Sequence, residues 1–173
     1  MSIPLESCVM NEIPRIEKKE FDIHSLEDEI RVDGLCGELL QKFYRHLLDS
    51  NILPGEASTL ASSADYFTRD FVIAIKQKNI LEEKPGIVRQ FAGNWYIANT
   101  LEPNMRELAG HLTGLKAFYG FLHAFGLISG EFLHAVEKEC DDGSYYGERI
   151  ETFWKIQGDG YFAWERECTL KDA

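Results

Sequence analysis

Long apolar runs are missing from this 173-residue chain: none approaches the roughly 18 residues that a membrane-spanning helix needs. The first twenty residues, with Glu6, Glu12, Glu17 and Glu20, lack the basic-then-apolar order of a secretory signal, so a cytoplasmic protein is expected. Cysteine is sparse. Cys8, Cys36, Cys140 and Cys168 lie far apart, with no C-x-x-C pair and no histidine at ligand spacing. That argues against a zinc site or a disulfide framework and for reduced, structural thiols. Positive charge is short as well: 18 Lys and Arg against 29 Asp and Glu leave a net charge of −11, which disfavours a broad polyanion-binding face. Internal repeats and low-complexity tracts are also absent, so solenoids and arrays are excluded.

What is present is ordinary globular composition, 45% hydrophobic, enough for one domain with appendages and a sizeable core. Residues 1–32 show no sustained period and are broken by Pro4 and Pro14. They read as an extended or poorly ordered arm, with room for a short docked helix around His24 to Ile30. Residues 33–173 read as a single helical domain. Its first helix is expected to start at Asp33 as N-cap, to bury Leu35, Leu39, Phe43 and Leu47, and to end at Asn51 and the Pro54-Gly55 pair. A second, capped by Ser58 or Thr59, aligns Leu60, Ala64, Phe67, Phe71 and Ile75. A third begins near Pro85 and buries Val88, Phe91, Trp95 and Ala98. The fourth has Asn104 as N-cap with Glu107 in a capping box, Leu108, Leu112, Leu115, Tyr119 and Leu122 on one face, and Gly126 as its left-handed end. Ser129 caps a fifth, and a sixth presents Tyr146, Ile150 and Phe153. In the aromatic tail beyond Gly160, periodicity does not separate helix from strand.

The stretch STLASSADYFTRDFVIAIKQKNILEEKPGIVRQFAGNWYIAN followed by NMRELAGHLTGLKAFYGFLHAFGLIS resembles the N-terminal, SAM-like core-binding domain of tyrosine recombinases and phage integrases. The likeness covers residues 57–129 and runs through Leu112, Leu115, Phe118, Tyr119, Phe121, Leu122, Gly126, Leu127 and Ile128. It implies an all-α protein of about six helices with a core-binding-type module at its centre, and residues 130–173 as C-terminal helices and tail. It also implies duplex DNA as a partner, because in that family the module clamps DNA. The family's separate cutting domain has a His-x-x-Arg pair, further cations and a tyrosine nucleophile. No histidine here is followed three residues later by Arg, and 44 residues after Ser129 are too few for such a domain. The implied protein is non-catalytic, with no catalytic residue, no cofactor and no metal.

Charge is unevenly spread. Residues 57–129 carry seven basic and six acidic residues, while each flank carries an excess of six acids. Lys76, Lys78, Lys84, Arg89, Arg106 and Lys116 are the candidates for phosphate contact, with Trp95 or Tyr96 as neighbouring stacking rings. The acids Glu137, Glu139, Asp141, Asp142 and Glu148 are placed to cover a DNA-facing side or to meet a basic partner. Glu107 and His111, one helical turn apart, imitate half a metal site without a second half. Trp154, Tyr161, Phe162 and Trp164 either cap the core or form a contact surface, which makes an acidic protein-interaction or scaffold protein, or a self-associating one, the alternative.

Overall fold

Helices account for the ordered elements of the chain in a computed structural model that describes residues 15–168, and no strand occurs among the described residues. The all-α expectation holds. There are seven helical rods among those residues, one more than the six expected, because the tail that periodicity left open closes into a helix.

The first rod, α1 (Leu26–Asp49), starts earlier than Asp33. Ser25 is its N-cap, the Oγ accepting the Asp28 N–H at 3.1 Å. Asp33 lies inside the helix, where its carboxylate accepts from Arg69 Nε at 2.8 Å and Nη2 at 2.9 Å. A residue type favoured at caps is held here by a long-range ion pair instead. Residues 26–32 therefore belong to the helical body, with Val32 buried, and the docked helix around His24 to Ile30 is the first turn of α1. A 3-10 turn at Lys18–Phe21 seats Phe21 in the core just before it. The part of the expected arm that spans 1–14, with Cys8, lies outside the described residues, as do the last residues of the tail.

Asn51, at φ +64°, turns the chain out of α1. Pro54 does not end a helix but opens the next, occupying its first turn, where no N–H is needed. Ser58 and Thr59 thus fall inside α2 (Pro54–Asp65). The same rod continues as a π segment, Tyr66–Ile73. Ala64, Phe67 and Phe71 point into the core as expected, but Ile75 is 57% exposed while Ile73 is 1% exposed. The wide turns of the π segment put the downstream residues out of phase with a 3.6-residue period.

The third rod joins α3 (Ile87–Gln90), a second π segment (Phe91–Trp95) and α4 (Tyr96–Asn99). The two π segments pack through rings: Phe67 on Phe91 at 5.2 Å, Phe71 on Trp95 at 5.4 Å and Tyr66 on Trp95 at 5.3 Å between centroids.

At the centre is α5 (Met105–Ala124), which packs against α2, α6 and α7. Asn104 caps it by accepting the Glu107 N–H at 2.9 Å, and Gly126 ends its last turn at φ +71°. All five positions of the expected stripe are buried, and so are Phe118 and Phe121 beside them. Gly114 allows the closest approach to α2: a Cβ there would lie 2.5 Å from the Ser63 Cβ and 3.0 Å from the Leu60 carbonyl oxygen.

Ser129 caps α6 (Gly130–Cys140), accepting the Phe132 N–H at 3.1 Å, and α7 (Gly143–Trp154) follows. The tail helix α8 (Tyr161–Arg166) is held by Arg149, whose side chain is buried. Arg149 Nε donates to the Gly93 carbonyl at 2.8 Å and Nη1 to the Trp164 carbonyl at 2.7 Å, and the guanidinium lies 3.8 Å from the Trp164 ring centroid. One arginine thus ties α7, α8 and the second π segment together.

Candidate anion-binding recess

The chain between the first π segment and α3 is a turn whose backbone needs unusual support. Gln77 adopts φ +50° and Gly86 φ +98°. Asn79 organises the middle of the turn. Its Oδ1 accepts the Leu81 N–H at 2.8 Å, and its Nδ2 donates to the Lys18 carbonyl and to Asp22 Oδ1, each at 2.8 Å. Ile80 and Leu81 are buried, so the turn is pinned to the body from below.

The far end of the turn is fixed by a carboxylate. Glu139, buried on α6, accepts the Gly86 N–H at 2.6 Å and the Arg89 N–H at 2.9 Å, capping α3 from another helix. Two otherwise orphaned donors of the helix start are satisfied by one negative group, which also complements the positive end of the helix dipole.

Between these supports lies a recess of about 140 Å³, at the junction of the two π-containing rods. Lys76, Lys78 and Lys84 line it together with Glu82, Gln90 and Tyr119, and Val72, Ile80 and Ile87 form apolar wall. Lys76 and Lys84 are half-buried, Lys78 is exposed, and among the described residues none of the three has a carboxylate within 4 Å. Burial raises the Tyr119 phenol far above its ordinary value, with the nearby Cys140 and Glu139 adding to the effect, so its hydroxyl keeps its proton at working pH.

The six expected phosphate contacts thus divide. Lys76, Lys78 and Lys84 converge on the recess. Arg89 is partly buried, pairs with Asp142 and stacks 4.2 Å from the Tyr145 ring centroid. Lys116 pairs with Asp141 at 2.8 Å, and Arg106 is exposed in the first turn of α5, away from the recess lining. Three of the five acids placed in the sequence as a possible cover for a DNA-facing side have definite local tasks: Asp141 and Asp142 hold Lys116 and Arg89, and Glu139 faces inward. Of the expected stacking rings, Tyr96 is buried with its hydroxyl against Asn104, and Trp95 is half-buried in the inter-π ring cluster.

Of the tail aromatics, Trp164 is 3% exposed and its Nε1–H donates to the Arg149 carbonyl at 3.1 Å, and Tyr161 packs half-buried against the core. Trp154 and Phe162 remain exposed, Phe162 at 65%. The four aromatics are split between core and surface.

His111 is held at 3.2 Å between its Nδ1 and Ser63 Oγ, with Nε2 3.6 Å from Glu107 Oε1, and the rings of Tyr66, Phe91 and Tyr96 surround it. Ser63 is itself buried. No group of three or more His, Cys, Asp or Glu suited to a metal ion occurs among the described residues.

What periodicity missed was the recess itself. Its signal in the sequence was faint: three lysines within nine residues of a turn that also holds Asn79 and the Pro85-Gly86 pair. Comparison with family models, curated proteins and solved structures finds no match.

Proposed function

We propose that this protein is a non-catalytic, all-α module, akin to the integrase core-binding domains it resembles in sequence, that associates with nucleic acid through the lysine-lined turn at 76–84. The observation that carries this is the convergence of Lys76, Lys78 and Lys84, without ion pairs among the described residues, while of the other candidate cations Arg89 and Lys116 are neutralised and Arg106 stands apart on α5. On a chain of net charge −11, unpaired lysines gathered at one place are the feature that favours a phosphate partner. Contact is confined to few phosphates, so binding is weak and falls only modestly with salt.

The test is fluorescence anisotropy with labelled duplex DNA at low salt. Three phosphate contacts predict that log K falls with log salt at a slope of about −3. The triple variant Lys76→Gln, Lys78→Gln, Lys84→Gln is expected to abolish binding, while Arg106→Gln leaves it nearly unchanged. Absence of binding at tens of micromolar wild-type protein overturns the proposal.

A second reading, a protein-interaction or self-associating surface, is favoured by exposed apolar groups at the C-terminal end of α7. Trp154 donates to the Pro103 carbonyl at 3.4 Å, beside the turn where Leu101 is almost fully exposed. Sedimentation over a wide concentration range distinguishes it: a monomer at all concentrations, unchanged by Trp154→Ala, counts against self-association. No helix among the described residues is long and apolar enough to cross a membrane.

A further inference from the structure

An open ridge bearing three lysines is enough to graze a duplex backbone. Here the lysines instead surround a recess that reaches inward to Gln90 and the buried Tyr119. At about 30 Å³ per water molecule, the 140 Å³ of space holds about four or five waters. That is the bulk of one tetrahedral oxyanion with its first ester atoms, and far less than a base pair.

Shape and charge then select among phosphates. An internal phosphodiester carries a sugar on each side and a single negative charge, so it can touch the rim but cannot enter. A terminal monoester presents three free oxygens and about −1.5 to −2 charges at neutral pH. Against it stand three ammonium groups and one carboxylate, Glu82, so the charges match those of a dianion. Lysine suits the task because its ammonium is a mobile point charge on a long stem, able to follow an oxyanion into a partly enclosed space. Tyr119 is part of the lining, and its phenol keeps its proton. The Glu139 cap holds α3, and with it Gln90, in place without contributing to the lining itself.

We propose that the recess is a binding site for a terminal phosphate monoester, held by Lys76, Lys78 and Lys84 with the Tyr119 hydroxyl. This rests on the same lysines being phosphate contacts, and it adds that the phosphate is an end group. Two sources share that chemistry: the 5′-phosphorylated end of a nucleic-acid strand and a free small phosphorylated molecule.

Three ligands on the full chain separate the possibilities. Inorganic phosphate titrated against isotope-labelled protein is expected to shift the backbone amide signals of residues 76–90 saturably. In anisotropy, a 5′-phosphorylated oligonucleotide is expected to bind about tenfold more tightly than the same strand with a 5′-hydroxyl. A small sugar phosphate, used as competitor, identifies the source. If it displaces phosphate while the strand end gives no gain, the site belongs to small phosphorylated molecules and the proposal of a monoester site stands. Lys84→Gln should remove the phosphate response, and Tyr119→Phe, which keeps the ring volume, should weaken it several-fold. The proposal is overturned if inorganic phosphate produces no saturable shift and the two strand ends bind equally. Duplex binding that still depends on the three lysines would then leave the proposed function intact. Conversely, a phosphate response without duplex binding removes the duplex reading and retains the site.

Discussion

Gly114 and Gly110 sit one turn apart on α5, yet an added methyl group meets opposite surroundings at the two positions. At Gly114 it would press into Ser63 and the Leu60 carbonyl of α2, whereas at Gly110 nothing lies within 4 Å. Gly114→Ala is therefore expected to destabilise by about 1–3 kcal/mol through overpacking, less the helix propensity gained. Gly110→Ala is expected to stabilise by up to about 1 kcal/mol. Urea unfolding midpoints decide both signs. His111 gives a second prediction at this scale. Burial pulls its pKa below the ordinary value of 6.5, and the nearby Glu107 only partly offsets this. Below about pH 6.5 the unfolded chain takes up a proton that the folded chain refuses, so stability is lost as pH falls through that value. Thermal melting between pH 7.5 and 5.5, a range of about two units, should show this decline, and His111→Gln should flatten it. The thiols of Cys36 and Cys140 are pushed up to about 12 by burial, so both are expected to resist alkylation in the folded protein.

The elements that differ most from their expected form are the two rods that switch from α to π. Apolar spacing placed Phe67, Phe71 and Ile75 on one line, which holds only while each turn contains 3.6 residues. The π segment Tyr66–Ile73 exchanges Ile75 for Ile73 at the core. Ile73→Ala is accordingly expected to cost about 2–5 kcal/mol and Ile75→Ala to stay within about 0.5 kcal/mol, as read by chemical denaturation. Equal costs would contradict the π register. The change of phase follows from packing: rings of Tyr66, Phe67 and Phe71 interlock with Phe91 and Trp95 of the other π segment. Local propensity carries no trace of this. The ends of helices were more readable where the cap is local, as at Asn104, Gly126 and Ser129. Other ends differ from the local reading: α1 starts from the Ser25 cap and α2 at Pro54, ahead of the expected caps, and α3 takes its cap from a distant residue. Asp33 looked like a cap and is an ion-pair partner of Arg69, and α3 is capped by Glu139 from α6. Glu139→Ala should leave the Gly86 and Arg89 N–H groups without an acceptor, at a cost of about 1–3 kcal/mol measured in the same way, while Glu139→Gln retains an accepting oxygen and should cost less.

Over the whole molecule, charge is arranged by pairing more than by segment. The near-neutral middle of the chain offers six candidate phosphate contacts, but the acidic C-terminal flank folds back so that Asp141 and Asp142 meet Lys116 and Arg89. Of the six candidate contacts, pairing removes Arg89 and Lys116, Arg106 stands apart on α5, and the three that remain together are those of the lysine turn. The helical class, the central helix with its buried stripe, and the local caps at Asn104 and Ser129 were determined by the sequence alone, because periodicity and capping depend on residues a few positions apart. The π registers, the burial of Trp164 over Arg149, the neutralisation of Arg89 and Lys116, and the recess itself were decided only by tertiary structure. Each of them depends on groups far apart in the chain, and no short-range pattern encodes which of those groups will meet.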